Sequence, residues 1–247
     1  MGKLYAPVFE AQFQQLRGDL DGARQNYRRA VTDLGRAGQF QAAGDALLGL
    51  AVVEVLTSQE AREGLAFARA QKLSGEEFHA VSLLEAVGGD AAASERSLQQ
   101  FASMHPWVLP RGVEIMRARN QIYAALARKD SRGVLAAAGR YPDFQTAELQ
   151  LVKGASHLLL KDYLASEREL RRGVIAGRSL ADLVTMRNRL PVAAALIHFY
   201  MAQMLEATGK SDLAISEYRE FLSYFENSRA RLLEIEQART AIKRLLG

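Results

Sequence analysis

PVAAALIHFYMAQMLEATGKSDLAISEYREFLSYF, residues 191 to 225, reads as two amphipathic helices around a tight turn. Ala202 and Leu205 lie in the first helix, Gly209-Lys210-Ser211 forms the break, and Ala214, Tyr218 and Phe221 share one face of the second. Small residues twelve apart, Ala202 and Ala214, let the two helices approach closely where they cross. Tyr218 and Phe221 then cover the crossing at helical spacing.

The same spacing recurs along the chain. Ala11 and Ala23 flank a turn at Gly18-Asp19, with Tyr27 and Ala30 behind; Pro7 and three glutamines make this first helix a poor match. Gly49 and Ala61 follow, with Leu65 and Ala68, and Thr57 or Ser58 is the expected N-cap of the second helix, with Glu60 in its first turn. Ser82 and Ser94 flank Gly88-Gly89-Asp90, and Pro106 stops that repeat because a proline cannot continue a helix. In the fourth repeat Ile122 and Val134 take the small positions around Lys129-Asp130-Ser131, and the second helix ends early, at Gly139 to Pro142. Gly154 and Ser166 flank Lys161-Asp162-Tyr163, with Leu170 and Gly173 behind; the tail GVIAGRSLADLVTMRNRL extends the second helix or adds a short one. After Asn227-Ser228, a final helix carries one apolar stripe, Leu232, Ile235, Ala238, Ile242 and Leu245, against a charged back.

This pattern resembles the tetratricopeptide (TPR) repeat, whose period is about 34 residues. The resemblance implies an all-α fold, a right-handed α-α superhelix of five to six helical hairpins, closed by a C-terminal capping helix. A single solenoid over residues 1–247 is expected. His105-Pro106-Trp107-Val108-Leu109-Pro110 reads as an extended linker, a candidate bend between 1–104 and 111–247. Trp107, the sole tryptophan, is expected as a wedge sealing the gap between the third and fourth repeats, with an exposed anchor as the other reading.

Composition agrees. The 247 residues are 49% apolar with five prolines, and helix formers dominate. Zero cysteines exclude disulfides and thiolate chemistry. A formal charge of +4, spread among interspersed acidic residues, is weak ground for nucleic-acid binding, although Arg168, Arg171, Arg172 and Arg178 could form a patch. No apolar run approaches the ~20 residues of a membrane span, and MGKLYAPVFEAQ lacks the apolar core of a secretory leader. A cytoplasmic protein is expected. Ala6 stands where a myristoylation motif wants Ser or Thr.

Catalytic signatures are missing, so no enzymatic activity is expected. Thr208-Gly209-Lys210-Ser211 ends like a phosphate-binding loop, but Met204 replaces the earlier glycine and helix residues precede it. His79, His105, His157 and His198 are too dispersed for a local ligand pair; His157 and His198 could meet in space, but no metal and no cofactor is expected. The acidic pairs Glu76-Glu77 and Glu167/Glu169 read as surface charge.

In the TPR family the first helix of each repeat lines a concave groove. Carried over from the small residues of this chain, the resemblance implies an inward set of Tyr5, Val8, Gln12, Ala46, Leu50, His79, Leu83 and Glu206. The partner-binding candidates from the same set are Arg119, Tyr123, Leu151, Ala155, Leu158, Phe199 and Gln203. Their mixed chemistry suits a peptide with apolar anchors. The family's clamp for acidic tails needs Lys, Asn and Arg there, and only Arg119-Asn120 has that chemistry. The last sixty or so residues, notably Tyr218 to Leu222 and the charged final helix, resemble C-terminal TPR tails of multidomain bacterial signalling proteins with a serine/threonine kinase or winged-helix domain. The expected function is therefore a non-catalytic module binding a protein or peptide partner. A self-assembling scaffold and a basic-surface nucleic-acid binder are the alternatives.

Overall fold

Six turns follow one geometry. In one, the Gln39 N–H reaches back five residues to the Leu34 carbonyl at 2.9 Å, after Gly38 at φ 71°. In the other five, the N–H groups of Asp19, Asp90, Asp130, Asp162 and Lys210 each reach back five residues, to the carbonyls of Gln14, Glu85, Ala125, His157 and Leu205, at 2.8 to 3.0 Å. The residue before each is left-handed: Gly18, Gly89, Lys129, Lys161 and Gly209, with φ between 57° and 90°. Such a bond closes the preceding helix by satisfying its orphan carbonyls. The aspartates then open the next helix: the carboxylates of Asp90, Asp130 and Asp162 accept from the N–H groups of Ala93, Gly133 and Ala165 at 2.8, 2.9 and 3.2 Å. One short sequence word therefore ends one helix and starts its partner.

The computed structural model describes residues 2–57, 61–140, 146–177, 192–226 and 232–247. They form helices only: α1 (Gly2–Leu16), α2 (Leu20–Arg36), α3 (Phe40–Thr57), α4 (Ala61–Ala70), α5 (Glu77–Val87), α6 (Ala91–Met104), α7 (Pro110–Ala127), α8 (Ser131–Gly139), α9 (Ala147–Leu159), α10 (Tyr163–Gly177), α11 (Ala193–Ala207), α12 (Ser211–Ser223) and α13 (Leu233–Leu246). The all-α, TPR-like solenoid class expected from the sequence is the one observed, with no strand among the described residues. Helix α1 runs through Pro7. Thr57 closes α3, while Ser58, Glu60, the tail beyond Gly177 and the Asn227-Ser228 cap lie outside the described residues.

The chain divides into two compact units, Met1–Ala11 with Asp21–Pro142, and Gln12–Leu20 with Asp143–Gly247. In the first, α5 packs against its own partner α6, against the neighbouring first helices α3 and α7, and against α4. In the second, α9 pairs with α10, α11 with α12, both α9 and α10 meet α11, and α13 packs on α12. Helices α5, α7 and α11 thus each rest on both helices of a preceding hairpin, which is how narrow apolar faces are hidden in a stacked array.

The small-residue markers sit at these crossings. Ser166 donates its hydroxyl to the Gly154 carbonyl at 2.9 Å, joining two markers directly. A Cβ at Gly154 would stand 2.5 Å from Leu170 Cγ, and one at Gly49 would stand 2.8 Å from the Tyr27 ring. Ala202 and Ala214 are fully buried, with Tyr218 and Phe221 over them. In the degenerate fourth hairpin Ile122 and Val134 are buried as well, and α8 is short, nine residues.

Three expectations need correction. Trp107 is not a wedge: it is 61% exposed, and His105 takes the buried place, stacked on Phe101 at 4.4 Å with Trp107 against its edge at 5.5 Å. The segment around it is a compact turn, not an extended linker, since Val108 N–H returns to the His105 carbonyl at 2.9 Å with Pro106 and Trp107 between. The acidic pairs are structural rather than solubilising. Glu76 meets His105 Nε2 at 3.0 Å, and Glu77 accepts from the Leu73 and Gly75 N–H groups at 3.1 and 2.9 Å. Glu169, buried in α10, takes Lys153 at 2.6 Å together with Arg168 and Arg172, while Arg171 pairs with Glu167 at 2.7 Å.

Candidate functional site

The second unit carries an open cleft of about 660 Å³ between α11, α12 and α13. Helix α11 supplies Gln203, Glu206 and Ala207; α12 supplies Tyr218; α13 supplies Glu236, Gln237, Thr240, Ala241 and Arg244. The α13 set recurs at three- and four-residue steps, so one helix face provides it. Ile235, Ala238 and Ala241 meanwhile bury the neighbouring face. Helix α13 therefore caps the core on one side and builds a wall on another.

Tyr218 is fixed from behind by an aromatic cluster. Phe199 lies 6.0 Å from its ring and 5.3 Å from Phe221, which lies 5.1 Å from Phe225. The Tyr218 hydroxyl donates to Glu206 Oε2 at 3.1 Å. Burial first, and then the charge of Glu206, push the Tyr218 phenol far above its usual value, so it stays a proton donor. Arg244 Nη2 donates to the other Glu206 oxygen. Nearby, burial and then the charge of Glu234 push Tyr200 up to about 12.

The sequence candidates separate into two groups. Tyr123, Leu151 and Phe199 are core residues, 1%, 5% and 2% exposed, and do not offer themselves to a partner. Their positions face inward on the first helix, but neighbouring side chains fill that space. Gln203 lines the cleft; Ala155, Leu158 and Arg119 are half-buried. Arg119 and Tyr123 belong to the first unit and the other five to the second. In α3 every residue from Ala46 to Val55 is buried, so the inward positions Ala46 and Leu50 form no open trough. His79 and Leu83 in α5 and Val8 in α1 are buried too. Asn120, half of the one clamp-like pair, is buried and donates to Ser82 Oγ at 2.9 Å.

His198 pairs with Glu217 at 2.7 Å and His157 with Asp162 at 3.3 Å, each within its own hairpin. Among the described residues no group of three or more His, Cys, Asp or Glu side chains could hold a metal ion. Gly209, at φ 76°, is the repeat turn and not part of a phosphate loop. Thr240 and Arg244 were not legible as site residues beforehand. Only the spacing of polar residues along the final helix, at 236, 237, 240 and 244, could have marked them.

No family model matches the chain, and no curated protein matches it. Among solved structures, a chain from the "Crystal structure of APC/C hetero-tetramer Cut9-Hcn1" superposes with a TM-score of 0.52 at 16% identity, over 93% of this chain. The likeness is one of fold. This chain spans 40% of the length of that one. No helix among the described residues is long and apolar enough to cross a membrane.

Proposed function

We propose that the chain is a non-catalytic interaction module that receives a peptide or protein partner on its second compact unit. The cleft between α11, α12 and α13 is the observation that carries this reading, with Gln203 in its wall. Leu158 and Ala155, half-buried on α9, are the remaining sequence candidates of this unit able to touch a partner; Arg119, half-buried on α7, belongs to the other unit. A partner seated there meets polar walls over an alanine floor, a surface suited to an extended segment.

The setting we propose is the regulatory tail of a bacterial signalling protein in the cytoplasm, supported by the resemblance of the last sixty or so residues to such tails. Self-assembly is the rival, and light scattering separates the two: growth of the mass with concentration favours the scaffold. The nucleic-acid reading loses its support, since Arg168, Arg171 and Arg172 are each held by Glu167 or Glu169, and Arg178 lies outside the described residues.

The test is photo-crosslinking. With a photoreactive phenylalanine at Gln203, a discrete adduct is expected, to be lost on Leu158→Arg and absent when the probe is moved to exposed Glu220. An identical adduct pattern from positions 203 and 220 contradicts the proposal.

A further inference from the structure

Glu206 is the polar centre of the cleft, and its carboxylate is aimed. Tyr218, 2% exposed and packed against Phe199, holds Oε2 from below. A carboxylate held in this way loses little freedom on receiving a second donor, which favours a charge-assisted bond at the remaining oxygen. That oxygen is occupied by Arg244, whose own side chain is 64% exposed. Exposed ion pairs are weak and readily exchanged, because the guanidinium recovers its hydration when it leaves.

The rest of the lining has the same sign. Glu236 is a second carboxylate of the lining, paired with Arg239 at 2.6 Å, and among the described lining residues Arg244 is the one cationic side chain. Gln203, Gln237 and Thr240 add neutral acceptors and donors around it. Once Arg244 swings away, the cleft presents an anchored negative charge in a pocket already shown to fit a guanidinium. The geometry points to a subsite for a cationic side chain, an arginine carried by a peptide segment of a protein partner, with Arg244 as its built-in competitor. This rests on the interaction-module reading and adds the partner's chemistry to it.

The direct test uses the full chain and a short fluorescein-labelled alanine–leucine peptide with one central arginine, beside the same peptide carrying citrulline, the neutral isostere. Fluorescence anisotropy should show saturable binding of the arginine peptide and little of the other. Arg244→Ala should tighten the arginine peptide by roughly three- to tenfold by removing the competitor. Glu206→Gln should weaken it by about tenfold or more, with or without Arg244. Because Glu206→Gln also removes a partner of buried Tyr218, Gln237→Glu on the exposed wall serves as a second variant, and it should tighten the arginine peptide.

Equal affinity of the two peptides, or no tightening in Arg244→Ala at unchanged melting temperature, overturns the inference. So does absence of arginine-peptide binding in every variant. If these peptides fail while crosslinking at Gln203 still yields its adduct, the charge assignment falls alone. If both fail, the module reading falls with it.

Discussion

Helices α3 and α11 occupy the same place in their hairpins and do different things. In α3 the run Ala46 to Val55 is buried throughout, including Glu54, which accepts from Arg28 at 3.2 Å. In α11 most of the helix is equally apolar, yet its last turns turn Gln203 and Glu206 toward an open cleft. A position one residue past the small marker is thus a core position in one hairpin and a cleft-lining position in the other. Leu50 follows Gly49 and is buried, whereas Gln203 follows Ala202 and stays half-exposed.

The largest effect that could break this contrast is a buried charge. Leu50→Asp should cost about 4 kcal/mol or more, because an unpaired carboxylate is expensive away from water. Gln203→Asp should stay within about 0.5 kcal/mol. Thermal unfolding followed by circular dichroism separates the two; similar melting temperatures would erase the distinction.

Next come the helix crossings, which both units share. Gly154→Ala sets a methyl 2.5 Å from Leu170 Cγ and Gly49→Ala sets one 2.8 Å from the Tyr27 ring. Each should destabilise by about 1–3 kcal/mol through overpacking, despite alanine's better helix propensity. Gly139→Ala meets nothing within 4 Å and should be neutral or stabilising by up to about 1 kcal/mol. Denaturant midpoints give the ranking.

Two glutamates then sharpen the comparison of the units by pH. In the second, burial pushes the Glu169 carboxyl up, but the hydrogen bond and charge of Lys153, with Arg168 and Arg172, outweigh it and hold it below its ordinary 4.5. Its folded pKa lies below the unfolded one, so it stabilises the fold above that value and the gain is lost as the pH falls through the folded pKa. In the first unit, burial raises Glu76 despite the charge of His105. There the folded chain holds the proton more tightly, so Glu76 adds stability as the pH falls toward 4.5. Glu169→Gln should therefore flatten the acid limb of a melting-temperature profile, and Glu76→Gln should steepen it.

The hairpins themselves were readable from the chain, because a left-handed Gly or Lys followed by Asp, and small residues twelve apart, are local demands on the backbone. The groove was not readable to the same degree. Tyr123, Leu151 and Phe199 occupy inward positions by count, but whether an inward position is open depends on the volume of residues distant in sequence. Trp107 shows the converse: a large aromatic in a turn was expected inside, and the smaller His105 fills that place with both ring nitrogens bonded, Nδ1 to the Phe101 carbonyl at 2.8 Å. Arg244 escaped notice because its contact with Glu206 joins residues 38 apart. The smallest expected effect returns to the turns: Lys161, at φ 61°, is strained in a place that favours glycine. Lys161→Gly should stabilise by roughly 0.5 kcal/mol, the relief of strain being partly offset by the freer unfolded chain.

The chain contains no cysteine, so a single introduced thiol reports cleanly on its own site. With Gln203→Cys and Ala46→Cys placed separately, the rate of maleimide labelling under native conditions compares the two helices directly. The thiol at 203 should react near the rate of a free thiol, and the thiol at 46 only as the chain unfolds. Comparable native labelling at both positions would mean that the first unit also holds an open groove, and the cleft beside α13 would lose its special standing.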